Sequence, residues 1–144
     1  MDHFKAWELV CNHVYRKYGE RSLMFADPRL LKWLAWFRDA IDRPVIINNY
    51  GNGGGTLTQR GYRCNLCSLV KDKTFADEMY LSAHTRFQAV DFNVPDMTAE
   101  DLRQWIDLHK NEMPCNIRIE VDTVEWCHVD VANDSRTKIL NFVG

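Results

Sequence analysis

At 144 residues, with 46% apolar and 12% aromatic side chains, the chain can fold as one domain (1–144) that buries roughly two-thirds of its unfolded surface, which excludes intrinsic disorder. A net charge of −2 gives no general electrostatic case for nucleic acid or an anionic membrane surface, so neither is expected as a partner. No apolar run approaches the roughly 20 residues of a membrane span, and no basic-then-apolar signal opens the chain. A protein made in the cytosol, monomeric and not exported by a signal of its own, is the expectation.

Phe4, Trp7, Val10, Val14 and Tyr18 recur at three- and four-residue steps, which predicts a first helix ending near Gly19. Asp27-Pro28 predicts a helix start, with Asp as N-cap and Pro in the first turn. Leu30, Leu31, Leu34, Phe37 and Ile41 continue it as an apolar stripe up to Arg43-Pro44. Val45–Asn49 reads as a short strand. Residues 51–81 are polar, glycine-rich at first and without periodicity. The Gly51–Gly55 run has no following Gly-Lys-Ser/Thr, so it reads as a turn and not a phosphate loop. An irregular segment of that length inside one domain points to function.

Five cysteines (Cys11, Cys64, Cys67, Cys115, Cys127) in a chain with no secretory signal read as reduced thiols. Cys64-Asn65-Leu66-Cys67 has CxxC spacing, suited to redox chemistry or half a zinc site. No second CxxC accompanies it, so packing is the expectation there. His3, His13 and His109 fall in helical stretches with no partner pattern, and surface or packing roles are expected.

Residues 88–94 then read as a strand, Thr98 caps a helix carrying Leu102, Trp105 and Ile106, and three strands follow at 117–121, 126–131 and 138–143. Helices lead and strands dominate the second half: an α+β domain with a small, mostly antiparallel sheet and helices on one side. Asp91 stands inside Ala89-Val90-Asp91-Phe92-Asn93-Val94, where an ionised carboxylate is costly unless paired. A buried ion pair, a turn mistaken for a strand, or a metal would explain it.

Period-two geometry puts Val90, Phe92 and Val94 on one face and Asp91 on the other, and puts His128 and Asp130 opposite Val129 and Val131. If the two strands are neighbours, Asp91 and His128 meet, and His84 on the preceding turn supplies a third ligand. Two histidines and an aspartate make the ligand set of a catalytic zinc with one open position; the same three residues also occur as ordinary polar groups. Glu125 and Glu120 are the nearby carboxylates that offer a general base.

Ser82-Ala83-His84, Ala89-Val90-Asp91 and Glu125-Trp126-Cys127-His128 together resemble the signature of the D-alanyl-D-alanine metallopeptidases. That family includes D,D-carboxypeptidases, D,D-dipeptidases and phage endolysins, and shares its fold with the Hedgehog signalling domain. The likeness begins near Asp27, passes through Arg60-Gly61-Tyr62-Arg63-Cys64-Asn65 and ends at residue 131. It implies a zinc peptidase acting on peptidoglycan stem peptides or cross-links, with Zn²⁺ on His84, Asp91 and His128 and Glu125 as acid/base. Arg63 matches the substrate-orienting arginine, with Arg60 in reserve. An enzyme without its own export signal suits a phage-type endolysin delivered to the cell wall by other machinery.

Two departures stand out. Phe87 occupies a position where the family usually has glycine, and a ring there would narrow the pocket or alter the turn. On one regular strand, Glu125 would point opposite His128, so a bend at Glu125-Trp126 is required, with Glu120 the fallback base. A zinc-stabilised binding module without turnover is the alternative in another class, and a CxxC redox protein a weaker one.

Overall fold

A computed structural model describes residues 3–144. It is an α+β domain with a four-stranded mixed sheet. The strands are β1 (Ala89–Phe92), β2 (Ile117–Glu120), β3 (Cys127–Asp130) and β4 (Ile139–Phe142), in the order β1-β3-β2-β4. The β1–β3 and β3–β2 ladders are antiparallel, and β4 adds to β2 in parallel. No helix among the described residues is long and apolar enough to cross a membrane.

The core face of the sheet carries Val90, Phe92, Ile117, Ile119, Cys127 and Val129, all buried. The long helix over Pro28–Ile41 packs here through Leu30, Trp33, Leu34, Phe37 and Ile41. Trp33 stacks on Phe37, with ring centroids 4.9 Å apart, and both tilt onto Phe92. This helix starts as its sequence dictates: Asp27 is extended, accepts the Arg29 amide and precedes Pro28. It stops where Asp42 turns left-handed. The helix over Ala99–Leu108 is held by a reciprocal cap between Thr98 and Asp101 and buries Leu102 and Ile106 in the same core.

The structure departs from the sequence reading in three places. The first helix is broken into α-helices at Ala6–Leu9 and Asn12–Tyr18, because Val10 and Cys11 leave the helix to pair with Tyr62. Cys11 N–H donates to the Tyr62 carbonyl and Tyr62 N–H to Leu9. The strand expected at 45–49 is a single bridge, Ile46 to Asn93. The segment 51–81 contains a helix, Ser68–Phe75, that buries none of its residues and so leaves no apolar periodicity to read.

Cys11 and Cys67 lie in the hydrophobic core and Cys64 packs against it, in keeping with the packing expected of the CxxC. His13 has partners that the sequence pattern did not show: Cys11, His13, Cys64 and Cys67 converge where the broken first helix meets the 62–67 turn. His109, by contrast, stacks on Trp105 at 3.9 Å, and His3 pairs with Asp39 on the surface.

Candidate metal centre

The side of the sheet away from the core carries the polar residues. In the β1–β3 ladder Asp91 lies directly opposite His128, and in the β2–β3 ladder Glu120 lies directly opposite His128. Period-two alternation therefore brings Asp91, His128 and Glu120 to one surface across three strands. His84 arrives from a 3-10 turn, Ala83–Arg86, whose start is capped by Ser82 Oγ accepting the His84 amide.

One donor atom each from His84, Asp91 and His128 lies within 4.8 Å of the others, and all three residues are buried. This group can hold a metal ion. Each histidine spends its second nitrogen on an oxygen: His84 Nδ1 is 2.8 Å from the Gly61 carbonyl, and His128 Nε2 is 2.8 Å from Asp130 Oδ2. The remaining nitrogens face Asp91, with His84 Nε2 at 3.3 Å from Oδ2 and His128 Nδ1 at 2.8 Å from Oδ1. Such outer bonds fix the tautomer and orientation of metal-binding imidazoles. Two imidazole nitrogens and a carboxylate oxygen, with a cleft alongside, form a donor set of the kind that metal ions take.

Burial opposes charge throughout this cluster, and hydrogen bonds decide where charge remains. Burial works against the His128 cation, but its bonds to Asp130 and Asp91 win and raise the imidazole to about 9. Burial likewise opposes ionisation of Asp91, yet bonds from His128 and His84 hold its carboxyl well below the usual range. His84 is pushed down, chiefly by burial, and so favours the neutral form that coordinates metal. His128 is thus a cation bridging two carboxylates, and a metal ion held at Nδ1 would take the place of the proton there.

The cleft beside this group has a volume of about 350 Å³ and is lined by Arg63, Tyr80, Arg118, Glu120, Trp126 and Phe142 besides the three ligands. A larger groove of about 520 Å³ between the 99–108 helix and strands β2 and β4 has no comparable convergence of ligands, so its size carries no weight. Glu120 Oε2 stands 3.8 Å from His128 Nδ1. Burial raises its carboxyl above the ordinary range, with His128 opposing and Asp91, Asp122 and Asp130 adding to the rise. Arg63 reaches in with its Nε donating to the Gln59 carbonyl at 2.6 Å, one terminal nitrogen to Tyr80 Oη at 2.6 Å and the other to Asp91 Oδ2 at 3.4 Å. Its backbone is anchored as well, Arg63 N–H donating to His84 O. Gly61, two residues earlier, lies so close to the first helix that a Cβ there would collide with the Leu9 backbone.

Other sequence-derived candidates lie elsewhere. Glu125 is exposed and does not line the cleft; its carbonyl accepts from Asn93 Nδ2 while the neighbouring Trp126 lines the cleft instead. The chain does bend at 124–126, just before β3 begins at Cys127, but the bend leaves the Glu125 side chain in solvent and not at the cleft. Arg60 donates to Asn93 Oδ1 and does not line the cleft. Phe87 does not narrow the pocket. Its backbone is left-handed (φ 54°, ψ 46°), as glycine would be, and its ring is buried against Tyr62.

The sequence reading missed Arg118 and Asp130 as a pair. Arg118 binds Asp130 through two bonds, of 2.8 and 2.9 Å, and Asp130 in turn holds His128. The signal was available: Arg118 and Glu120 alternate on β2, and His128 and Asp130 on β3, so all four share a face. The Cys127 thiol, on the core face, is pushed up to about 12 by burial and is no nucleophile. No protein-family model, curated protein or solved structure matches the chain.

Proposed function

We propose that the protein is a zinc-dependent peptidase that hydrolyses amide bonds in peptidoglycan stem peptides or cross-links. The observation that carries the metal reading is the convergence of His84, Asp91 and His128, each histidine pinned by an outer oxygen, on a cleft that also holds Glu120 and Arg63. The substrate class rests on the motif resemblance. Bound to these ligands, zinc would supply Lewis-acid polarisation of a carbonyl and an acidified water.

The chain's own residues do the rest. Glu120, its carboxyl raised by burial, takes a proton at its carboxylate oxygen and returns it to the leaving amine. Arg63, held by Gln59, Tyr80 and Asp91, presents its guanidinium to a carbonyl oxygen that gains negative charge. Asp130 and Arg118 hold the His128 imidazole in one orientation. Trp126 and Phe142 supply apolar walls.

The test compares Glu120→Gln with Glu125→Gln, measuring zinc content and release of peptides or amines from purified peptidoglycan. Glu120→Gln should keep its zinc and lose about 100- to 10,000-fold in rate, as expected for removal of a general base. Glu125→Gln should stay within a few-fold of wild type. The reverse result would move the base to Glu125. A wild type that binds zinc at His84, Asp91 and His128 but releases nothing from varied cell walls would make the non-catalytic zinc module the better reading.

A further inference from the structure

We infer that Cys11, His13, Cys64 and Cys67 form a second, purely structural zinc site, which clamps the broken first helix to the turn carrying Arg63. The inference is independent of the peptidase reading. One donor atom from each of the four residues lies within 4.8 Å of the others. His13 Nδ1 is 3.6 Å from Cys64 Sγ and 3.8 Å from Cys67 Sγ. With zinc–sulfur bonds of about 2.3 Å and zinc–nitrogen bonds of about 2.0 Å, a tetrahedral site sets nitrogen–sulfur edges at about 3.6 Å. The two His13–cysteine separations match that edge, and no pair among the four donors is more than 4.8 Å apart.

Donor chemistry sets this site apart from the His84 group. Three sulfurs and one imidazole fill four positions and leave none for a substrate, the mark of a structural zinc. All three sulfurs are free donors, since none of the cysteines is in a disulfide. The Leu66 amide donates to Cys64 Sγ at 3.4 Å, which fixes the orientation of that sulfur.

The surrounding fold shows what such a clamp would hold. The helix over Ser68–Phe75 buries no residue, and Leu69 and Phe75 are exposed. A helix of eight residues is marginal by itself, and this one meets the core only through the half-buried Val70. Cys67 is buried immediately before it, so a metal bond at that position anchors the helix start. On the other side, Cys11 and His13 flank the start of the 12–18 helix. Cys64 follows Arg63 directly, so the same clamp fixes the backbone from which Arg63 reaches the cleft.

The experiment uses full-length protein purified under reducing conditions, with metal counted by elemental analysis and zinc exchanged for cobalt(II). Wild type should hold two metal ions per chain, and its cobalt form should show a thiolate-to-cobalt charge-transfer band. His84→Ala should drop to one ion and keep the band, whereas the Cys64→Ser, Cys67→Ser double variant should drop to one ion and lose it. Chelator treatment of wild type should expose Cys11, Cys64 and Cys67 to a thiol reagent. A wild type with a single ion and no thiolate band would overturn the inference, even if the double variant failed to fold. A Cys64–Cys67 disulfide in freshly purified wild type would overturn it too.

Discussion

Replacing Phe87 by alanine and, separately, by glycine isolates the backbone contribution at the end of the turn that carries His84. Phe87 is fully buried, with its ring stacked on Tyr62 at a centroid distance of 5.1 Å and an angle of 14°. Losing that ring should cost about 3–5 kcal/mol in either variant. The variants differ in the main chain. At φ 54°, ψ 46°, a residue with a Cβ pays about 1–2 kcal/mol that glycine does not. Glycine should therefore be the more stable of the two by about 1 kcal/mol, the reverse of the helical order. With urea m-values of about 1–3 kcal/mol per molar, that gap appears as a midpoint difference of about 0.3–1 M between the two variants. The midpoints are read by equilibrium urea unfolding, followed by circular dichroism and tryptophan fluorescence. An alanine variant equal to or more stable than the glycine variant would refute the left-handed turn and with it the explanation of Phe87.

If the His84 group holds zinc as proposed, Asp130→Asn should leave the fold intact but weaken metal binding there by about 10- to 100-fold, the usual loss when an outer carboxylate is removed. Competition with a chromogenic chelator measures it, and unchanged affinity would refute the outer-ligand role. Asp27→Ala should cost about 1 kcal/mol of thermal stability through loss of the helix cap. Its pH dependence has a definite sign: the Arg29 guanidinium lowers the folded-state Asp27 carboxyl to about 2. The contribution is therefore full above its unfolded value of about 3.9 and fades as pH falls toward 2, so the wild-type advantage over Asp27→Ala should shrink across that window. An advantage that held constant from pH 6 to pH 2 would show that the charge plays no part.

What was legible in the sequence is what local chemistry imposes. Asp27-Pro28 and the stripe Leu30–Ile41 make a capped helix wherever they occur, and Thr98 with Asp101 does the same for the second long helix. Two-residue alternation alone sorted Asp91 and His128 from their apolar neighbours, and the structure pairs those two residues across β1 and β3. Tertiary structure decided everything that depended on register between distant segments. Glu120 was named only as a fallback, and the ladder that sets it beside His128 depends on how far β2 slides along β3, which no local pattern encodes. The first helix broke at Val10 because Tyr62, far along the chain, offered hydrogen bonds the helix could not. That same break, together with the close approach of Gly61 to Leu9, carried Cys11 and His13 to Cys64 and Cys67. A CxxC and a CxH separated by some fifty residues have no common period to betray them; only the folded chain brings their donors within bonding range of one ion.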